Sequence, residues 1–394
     1  MLSPQSAATV RATLPAVGAA IGEITERFYA RLFDAHPELL RNLFNRGNQA
    51  SGAQKQALAG SIAGFAVHLL EHPDQRPDAM LDRIAHKHAS LGIAPEQYDV
   101  VHEHLFAAIV EVLGEAVTPE VAAAWDEVYW LMANALIAIE KRLYERSGGR
   151  GTREWEVVER VTETPDVVTL RLRPVDGGPV SPFRAGQYVS VGVDLPDGAH
   201  QIRQYSLSGA PGEGVRQISV KRVHGGAGPD GEVSDFLHTR VAVGDRVSLS
   251  EPYGDLVLDG DDEHPLLLAS AGIGVTPMVA MLAALADTGH RAPVTVVHGD
   301  RSPADHALRA DHEAYAAKLP DAACHFFYEN DAPANARTGR VDLTGIPVAS
   351  GTRAYLCGPL PFMRAVRAQL LEKGVAPADI HYEVFGPDLW LAQG

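Results

Sequence analysis

Leu266-Leu267-Leu268-Ala269-Ser270-Ala271-Gly272-Ile273-Gly274-Val275-Thr276-Pro277-Met278 opens a run of 21 residues, Leu266 to Ala286, with no charged side chain. A run of that length can cross a bilayer. Two glycines and a proline inside it point elsewhere. They divide it into a short apolar strand (Leu266–Ser270), a glycine turn, and a helix from about Thr276 to Ala286. Buried strands of parallel sheets are continuously apolar too, so no lipid is needed to explain the run. The glycines let backbone approach a pyrophosphate, and the helix N-terminus adds free amides and a favourable dipole. Pro277 suits the first helical turn. Gly272, Gly274, Val275, Thr276 and Pro277 are therefore candidate dinucleotide contacts. The string is not G-x-G-x-x-G, because Pro277 stands where the third glycine would be.

The surrounding chain repeats the strand–helix rhythm. Val294–His298 precedes a helical Ala304–Lys318. Cys324–Tyr328 follows, and Ala354–Cys357 leads into a helix to about Lys373. Such alternation predicts a parallel, doubly wound sheet. His298-Gly299-Asp300-Arg301-Ser302 ends the second strand, where selectivity for a ribose 2′-phosphate is often set. Arg301 and Ser302 could bind that phosphate and Asp300 would oppose it, so the residues leave NADH and NADPH both open.

The 394 residues suggest two to three domains. The chain is 46% hydrophobic and 21% charged, ordinary for a globular protein. Its 34 Lys and Arg against 50 Asp and Glu leave a formal charge of −16, which argues against nucleic-acid or anionic-membrane partners. Cys324 and Cys357, the two cysteines, are too few for a disulfide framework, a zinc ribbon or a cysteine-ligated cluster. Met1–Val10 has no basic region followed by an apolar core. A cytoplasmic location is expected.

Two further regions differ in character. Residues 1–147 show apolar spacing of three and four and predict an all-helical domain, broken at His36-Pro37, His72-Pro73, Gly92 to Pro95 and Thr118-Pro119. After a hinge at Ser147–Gly151, Trp155–Val161, Val167–Leu172, Tyr188–Val193, Ile202–Leu207 and Ile218–Val223 read as antiparallel strands of a small barrel. One helix is expected near Val233–Thr239. The expected domains are 1–147, 152–260 and 263–394. Within the barrel, Arg203-Gln204-Tyr205-Ser206-Leu207 suits a flavin: Arg can neutralise phosphate, Tyr can stack on the ring and Ser can hydrogen-bond it. Alone, the string is equally an exposed polar strand edge. Gly186-Gln187-Tyr188 and Gly231-Glu232-Val233-Ser234 accompany it, the latter opening a helix whose amides could bind pyrophosphate.

In the helical region, Leu81, Ile84, Ala85 and His88 share one helix face. A lone histidine there is ordinarily a satisfied core residue. Tyr98 shares a face with Val101 and Leu105, and Glu140 lies near the inward face of the last helix. A His–Tyr–Glu cluster would hold a metal-ligating imidazole and make it more basic. The alternative is a solvated Glu140 pairing within its own helix. Tyr29 and Gln54 could hydrogen-bond a bound diatomic ligand, or simply pack.

Phe28–Phe33, Phe44-Asn45, Asn48-Gln49, Ile84–Ser90 and Pro95–Tyr98 resemble the globin domain of bacterial flavohaemoglobins. The barrel strings, the Gly272 turn with Pro277, Cys357-Gly358-Pro359 and Tyr382–Pro387 resemble reductases of the ferredoxin-reductase type. The order globin, FAD barrel, nicotinamide domain spans nearly the whole chain. The resemblance implies haem b ligated through His88, with Tyr98 and Glu140 as its partners. It implies Tyr29, Gln54 and Leu58 in the distal pocket, and Phe44 and Lys87 at the haem. It implies Gln187, Tyr188, Arg203, Gln204, Tyr205, Ser206, Gly231, Glu232, Val233 and Ser234 as FAD contacts. For the nicotinamide side it adds Cys357, Gly358 and Pro359, Phe385 over the flavin face and Glu383 near the gap between flavin and haem. Val384 departs from the pattern, since many relatives carry cysteine there. The implied activity is nitric oxide dioxygenation: NAD(P)H, FAD and haem pass electrons in turn, and NO and O2 give nitrate. A peroxidase or alkyl-hydroperoxide reductase, and a non-enzymatic gas sensor, are the rivals. NADH is favoured by the resemblance, a monomer is expected, and a lipid in the distal pocket is left open.

Overall fold

The computed structural model describes residues 1–212, 214–225, 230–258 and 263–386. Pro387 of the terminal motif, and stretches 259–260 and 387–394 of the expected domains, lie outside the described residues. The chain divides into two units. One holds residues 1–151, 193–202 and 386; the other holds 152–192 and 203–385.

Helices make up most of the first unit: α1 (Pro4–Ala35), α2 (Pro37–Asn42), α3 (Arg46–Ala50), α4 (Ala53–Glu71), α5 (Asp78–Ser90), α6 (Glu96–Leu113) and α7 (Pro119–Ser147). Their ends are written locally. Ser3 and Thr118 cap α1 and α7 through their side chains, with proline in the first turn of each. Gly148, at φ 87°, closes α7 in the left-handed region. The core is one apolar cluster that includes Ile24, Phe28, Leu32, Leu81, Ala85, Leu105, Leu136 and Ile139. Residues 193–202 add polar anchors to this unit. Gln201, fully buried, donates from Nε2 to the carbonyls of Arg41 (2.8 Å), Leu40 (3.3 Å) and Phe44 (3.3 Å). Asp197 pairs with Arg46 at 2.7 Å.

β1 (Thr152–Thr164), β2 (Val167–Pro174), β3 (Tyr188–Asp194), β4 (His200–Ser206), β5 (Arg216–Lys221) and β6 (Arg246–Ser250), most of whose residues belong to the second unit, form a sheet in the order β4-β3-β6-β1-β2-β5. The pairs β1–β2, β1–β6, β2–β5 and β3–β6 run antiparallel. A bridge between Leu207 and Ile218 joins the two edges, and Ser208 N–H donates to the Gln217 carbonyl at 2.9 Å. The sheet therefore closes, as a small barrel must to lose its edges. α8 (Glu232–Thr239) lies between β5 and β6 in sequence.

The second sheet is parallel: β7 (Leu266–Ala271), β8 (Val294–Asp300), β9 (Ala322–Tyr328), β10 (Arg337–Thr338), β11 (Arg353–Cys357) and β12 (Ile380–Glu383), in the order β10-β9-β8-β7-β11-β12. α9 (Val275–Thr288), α10 (Arg309–Ala316) and α11 (Leu360–Glu372) connect it. α10 is shorter than the expected Ala304–Lys318. Leu308 sits at φ 55°, which ends any helix, and the preceding loop turns His306 inward.

That loop helps build a buried histidine cluster. His298, His306 and His312 are 0%, 4% and 0% exposed. The His298 and His306 rings stack 3.9 Å apart, His306 Nδ1 lies 2.9 Å from the Tyr328 hydroxyl, and Ser270 Oγ lies 2.8 Å from His298 Nδ1. Burial holds His306 and His312 well below the usual imidazole range, His312 down to about 3. An unfolded histidine titrates near about 6.5. Between those values the unfolded chain takes up a proton that the folded chain refuses. The stability is therefore complete above pH ~6.5 and is lost as pH falls toward ~3, at about 1.4 kcal/mol per pH unit for His312 alone. The urea midpoint of the second unit is expected to drop along that slope between pH ~6.5 and ~4, and less steeply in His312→Leu. Equal slopes in the two proteins would refute this.

Candidate functional site

α5, α6 and α7 converge on one imidazole. His88 Nδ1 lies 2.9 Å from Glu140 Oε1 and 2.9 Å from the Tyr98 hydroxyl, and that hydroxyl donates to Glu140 Oε1 at 2.5 Å. Glu140 is 2% exposed, so the alternative of a solvated flank residue is excluded. Burial, with the Glu140 charge added, pushes the Tyr98 hydroxyl far above its usual range, so it stays a donor. Tyr129 donates to the Tyr98 carbonyl at 2.6 Å and holds α6 in place. With Nδ1–H committed to the carboxylate, the ring's lone pair resides on Nε2. A neutral imidazole oriented this way is the donor a haem iron takes. Lys87, one residue earlier, instead directs its ammonium to the Gly386 carbonyl.

Tyr29 lies in α1, 4% exposed, with Phe28, Phe33 and Phe44 rings at 4.7, 5.6 and 5.9 Å. Burial raises its hydroxyl pKa strongly, while the amides of Gln54 and Gln49 act against that rise. Leu58 packs half-buried on the same core. Sequence reading assigns no role to Gln49, yet its buried amide reaches the Tyr29 hydroxyl beside that of Gln54. The signal was available in the turn. Asn45 caps α3 by accepting from Asn48 N–H at 3.2 Å, and Gly52, at φ 75°, starts α4, which brings both glutamines to one hydroxyl.

In the barrel, β4 carries Arg203 to the first turn of α8, 3.8 Å from Glu232. A cation beside free helical amides can hold a pyrophosphate. At Gly231 a Cβ would lie 2.5 Å from Ser234 Oγ and 2.7 Å from Val223 Cβ, so only glycine fits. Ser234 Oγ donates to the Gly231 carbonyl (2.9 Å) and accepts from Val223 N–H (3.1 Å). Its hydroxyl pins the turn, and Val233 is fully buried, so backbone amides are what this segment can offer. Ser206 Oγ is buried and without a partner, as a group awaiting a ring heteroatom would be. Burial raises the Tyr205 hydroxyl pKa. Gln187, Gln204 and Tyr188 act within the barrel itself. Gln187 Oε1 accepts from Arg184 N–H (2.8 Å), Gln204 donates to Ser190 Oγ (3.2 Å), and the Tyr188 ring packs against Gly254.

At the parallel sheet, His298, Ser270, Cys357 and Glu383 stand in register across β8, β7, β11 and β12, all four buried. They line the carboxyl ends of the strands, where open parallel sheets bind ligands. Burial, with Glu383 nearby, raises the Cys357 thiol pKa, which fits no nucleophilic role. A Cβ on Gly274 would lie 2.2 Å from the Cys357 carbonyl oxygen, so the two turns touch backbone to backbone. A Cβ on Gly358 would lie 2.9 Å from the Phe362 ring and 3.0 Å from the Ala271 amide nitrogen, and Pro359 caps α11. The side chains of Val275, Thr276 and Pro277 are buried. Phe385 is 46% exposed. Sequence reading also missed Lys221, whose Nζ would lie 3.8 Å from a Cβ on Gly272, a cation at the turn that could meet a pyrophosphate. Among the described residues, no helix is long and apolar enough to cross a membrane.

Comparison with known proteins assigns the three regions. Residues 26–136 match the Globin family, 154–257 the Oxidoreductase FAD-binding domain and 268–368 the Oxidoreductase NAD-binding domain. A flavohemoprotein of Rhizobium meliloti (strain 1021) is 42% identical over 405 residues, covering 99% of this chain and 100% of that one. The chain belongs to the flavohemoprotein family. Among solved structures, the flavohemoglobin of Malassezia yamatoensis, with bound FAD and heme, is 38% identical with a TM-score of 0.91, covering 98% of this chain and 100% of that chain. The FAD/NAD-binding domain of nitric oxide dioxygenase from Vibrio cholerae O1 biovar El Tor is 36% identical with a TM-score of 0.57, covering 60% of this chain and all of that chain. As a flavohemoprotein, the chain is an NAD(P)H-dependent oxidoreductase. Its helical domain, antiparallel barrel and parallel sheet follow the family's order.

Proposed function

We propose that this flavohemoprotein is a nitric oxide dioxygenase, converting NO and O2 to nitrate at the expense of NAD(P)H. The observation that carries the reading is the Glu140–Tyr98–His88 network in a chain that also holds flavin and nicotinamide domains. An anion behind the imidazole makes it a stronger donor, which serves redox chemistry and brings nothing to a simple oxygen carrier. The likeness to the Vibrio cholerae dioxygenase domain supports it. When bound, FAD accepts a hydride and releases its electrons singly, and haem iron binds O2. Per NAD(P)H, two NO and two O2 then give two nitrates and a proton.

His88 would hold the haem iron through Nε2, its ring kept in orientation by Tyr98 and Glu140. Tyr29 and Gln54 donate toward a diatomic ligand, and Phe44 and Leu58 pack the porphyrin. Lys87, tied to the Gly386 carbonyl, fixes the end of α5 beside His88. Arg203, Gly231, Glu232, Val233 and Ser234 form the FAD pyrophosphate turn, with Tyr205 and Ser206 at the ring and Gln187, Tyr188 and Gln204 supporting them. Gly272, Gly274, Val275, Thr276, Pro277, Cys357, Gly358 and Pro359 shape the nicotinamide side, with Glu383 at the end of its row and Phe385 covering the flavin. We assign these chemistries to residues 1–147, 152–260 and 263–394. The protein works as a cytoplasmic monomer on small molecules, and a lipid tail is compatible with the apolar wall around Tyr29.

The test follows NO with an electrode in aerated buffer, using protein loaded with haem and FAD. Fast loss that needs NADH and O2 and yields nitrate is expected, falling by about tenfold or more in Tyr29→Phe, with weaker O2 binding. Slow loss with both groups spectroscopically present would sink the assignment in favour of peroxide reduction or gas sensing.

A further inference from the structure

The loop after β8 carries the groups that decide between the two nicotinamide donors. β8 lies beside β7 in parallel register, with Ala271 opposite Gly299. Asp300, Arg301 and Ser302 therefore emerge next to the Gly272 turn, where this type of sheet reads the adenosine ribose. Arg301 and Ser302 are the two side chains of that loop that could hold a 2′-phosphate. Both are already taken by one carboxylate. Arg301 Nη2 lies 2.5 Å from Asp305 Oδ1, and Ser302 Oγ donates to Asp305 Oδ2 at 2.7 Å.

The loop is fixed in that arrangement. Asp305 N–H donates to the Ser302 carbonyl at 3.1 Å, and Asn330 N–H donates to the Arg301 carbonyl at 2.8 Å. Two more carboxylates lie near Arg301, one at its guanidinium and one at its backbone amide. Asp166 Oδ2 is 3.7 Å from Arg301 Nη2, and Asp300 Oδ1 accepts from the Arg301 amide at 2.8 Å. Asp166 also meets Lys221 and His224, the latter with Nε2 3.0 Å from its Oδ1.

We infer that Asp305 occupies the 2′-phosphate-recognising groups and so commits this chain to NADH. The inference rests on reading this loop as part of the nucleotide site. A 2′-phosphate would carry nearly two negative charges into a setting of three carboxylates. It would also have to displace Asp305 from Arg301 and Ser302 together. A neutral 2′-hydroxyl meets no such opposition, because it can donate to a carboxylate. Arg301 is 58% exposed, so its ion pair with Asp305 is weak taken singly. The discrimination comes from one carboxylate engaging both phosphate ligands, and removing that carboxylate should release both.

The experiment uses the full-length holoprotein, Asp305→Asn, and Asp305→Asn combined with Arg301→Ala. Calorimetry measures binding of 2′,5′-ADP and 5′-AMP, and anaerobic stopped flow measures flavin reduction by NADPH and NADH. Asp305→Asn is expected to gain on the order of tenfold in affinity for 2′,5′-ADP relative to 5′-AMP, and in the NADPH-to-NADH rate ratio. Adding Arg301→Ala should cancel both gains. A ratio unchanged within about twofold, or a gain that survives without Arg301, overturns the inference. Flavin reduction by neither nucleotide in the parent protein would instead overturn the nucleotide-site reading beneath it.

Discussion

Glu140→Gln is expected to slow NO consumption by about tenfold to a hundredfold while haem content stays unchanged. The substitution keeps the shape of the side chain and one acceptor oxygen. It removes the charge that both the Tyr98 hydroxyl and His88 Nδ1–H address. The imidazole keeps its orientation and loses its anionic partner, so it becomes a weaker donor to iron. Resonance Raman of the ferrous, ligand-free protein should show the iron–histidine stretch at lower frequency, a signature that a merely structural role for Glu140 would not produce. Glu140→Leu would do worse and differently. It strands two buried donors at about 1–3 kcal/mol each and threatens the fold of the helical unit itself. Unchanged turnover and an unchanged stretch in Glu140→Gln would show that the carboxylate does not act through the ring.

The second large effect belongs to Gly274→Ala, which should cut flavin reduction by NADH by about a hundredfold or more. Gly274 has φ −61°, which any residue adopts, so the glycine is required by space alone. The added carbon would stand 2.2 Å from the Cys357 carbonyl oxygen, 2.5 Å from its carbon and 2.8 Å from the Gly358 nitrogen. All three are backbone atoms, so the two turns must separate. A shift of that size at a site that must align two ring systems is costly in rate, and the overpacking costs about 1–3 kcal/mol in stability. O2 binding by dithionite-reduced protein should be unaffected, which separates a local fault from general misfolding. Normal flavin reduction in this variant would mean that the contact between the turns does not position the nucleotide.

Much of this arrangement is legible in the sequence. The charge-free run from Leu266 divided at its glycines and proline into strand, turn and helix, as those residues dictate. His88 could be placed on an inward face because helical spacing is local information. Whether Glu140 faced it could not be decided, because that depends on how α5 and α7 pack. Arg246–Ser250 escaped notice because five residues of mixed polarity carry little pattern, although the strand lies between β1 and β3. The shortening of α10 was invisible for another reason. Leucine rarely adopts positive φ, and nothing adjacent to Leu308 announces that it does. Gln49, Lys221 and Asp305 gain their meaning from neighbours across turns and strands. Asp305 lies four residues from Arg301, yet the expected helix through Ala304 pointed away from the loop geometry that joins them.

The anchoring of Gln201 bears on how such a protein can be cut and recombined. The last carbonyls of α2 lack partners within their own helix, and a side chain 160 positions downstream of Arg41 supplies the donor. An excised fragment ending at Ser147 would leave the carbonyls of Leu40, Arg41 and Phe44 to water. The ring of Phe44, 5.9 Å from that of Tyr29, would lose its tether. Gas affinities measured on such a fragment would then describe a loosened pocket. Grafting the fragment onto a foreign reductase would discard a piece of the haem-binding half that is encoded within the flavin-binding stretch of the chain.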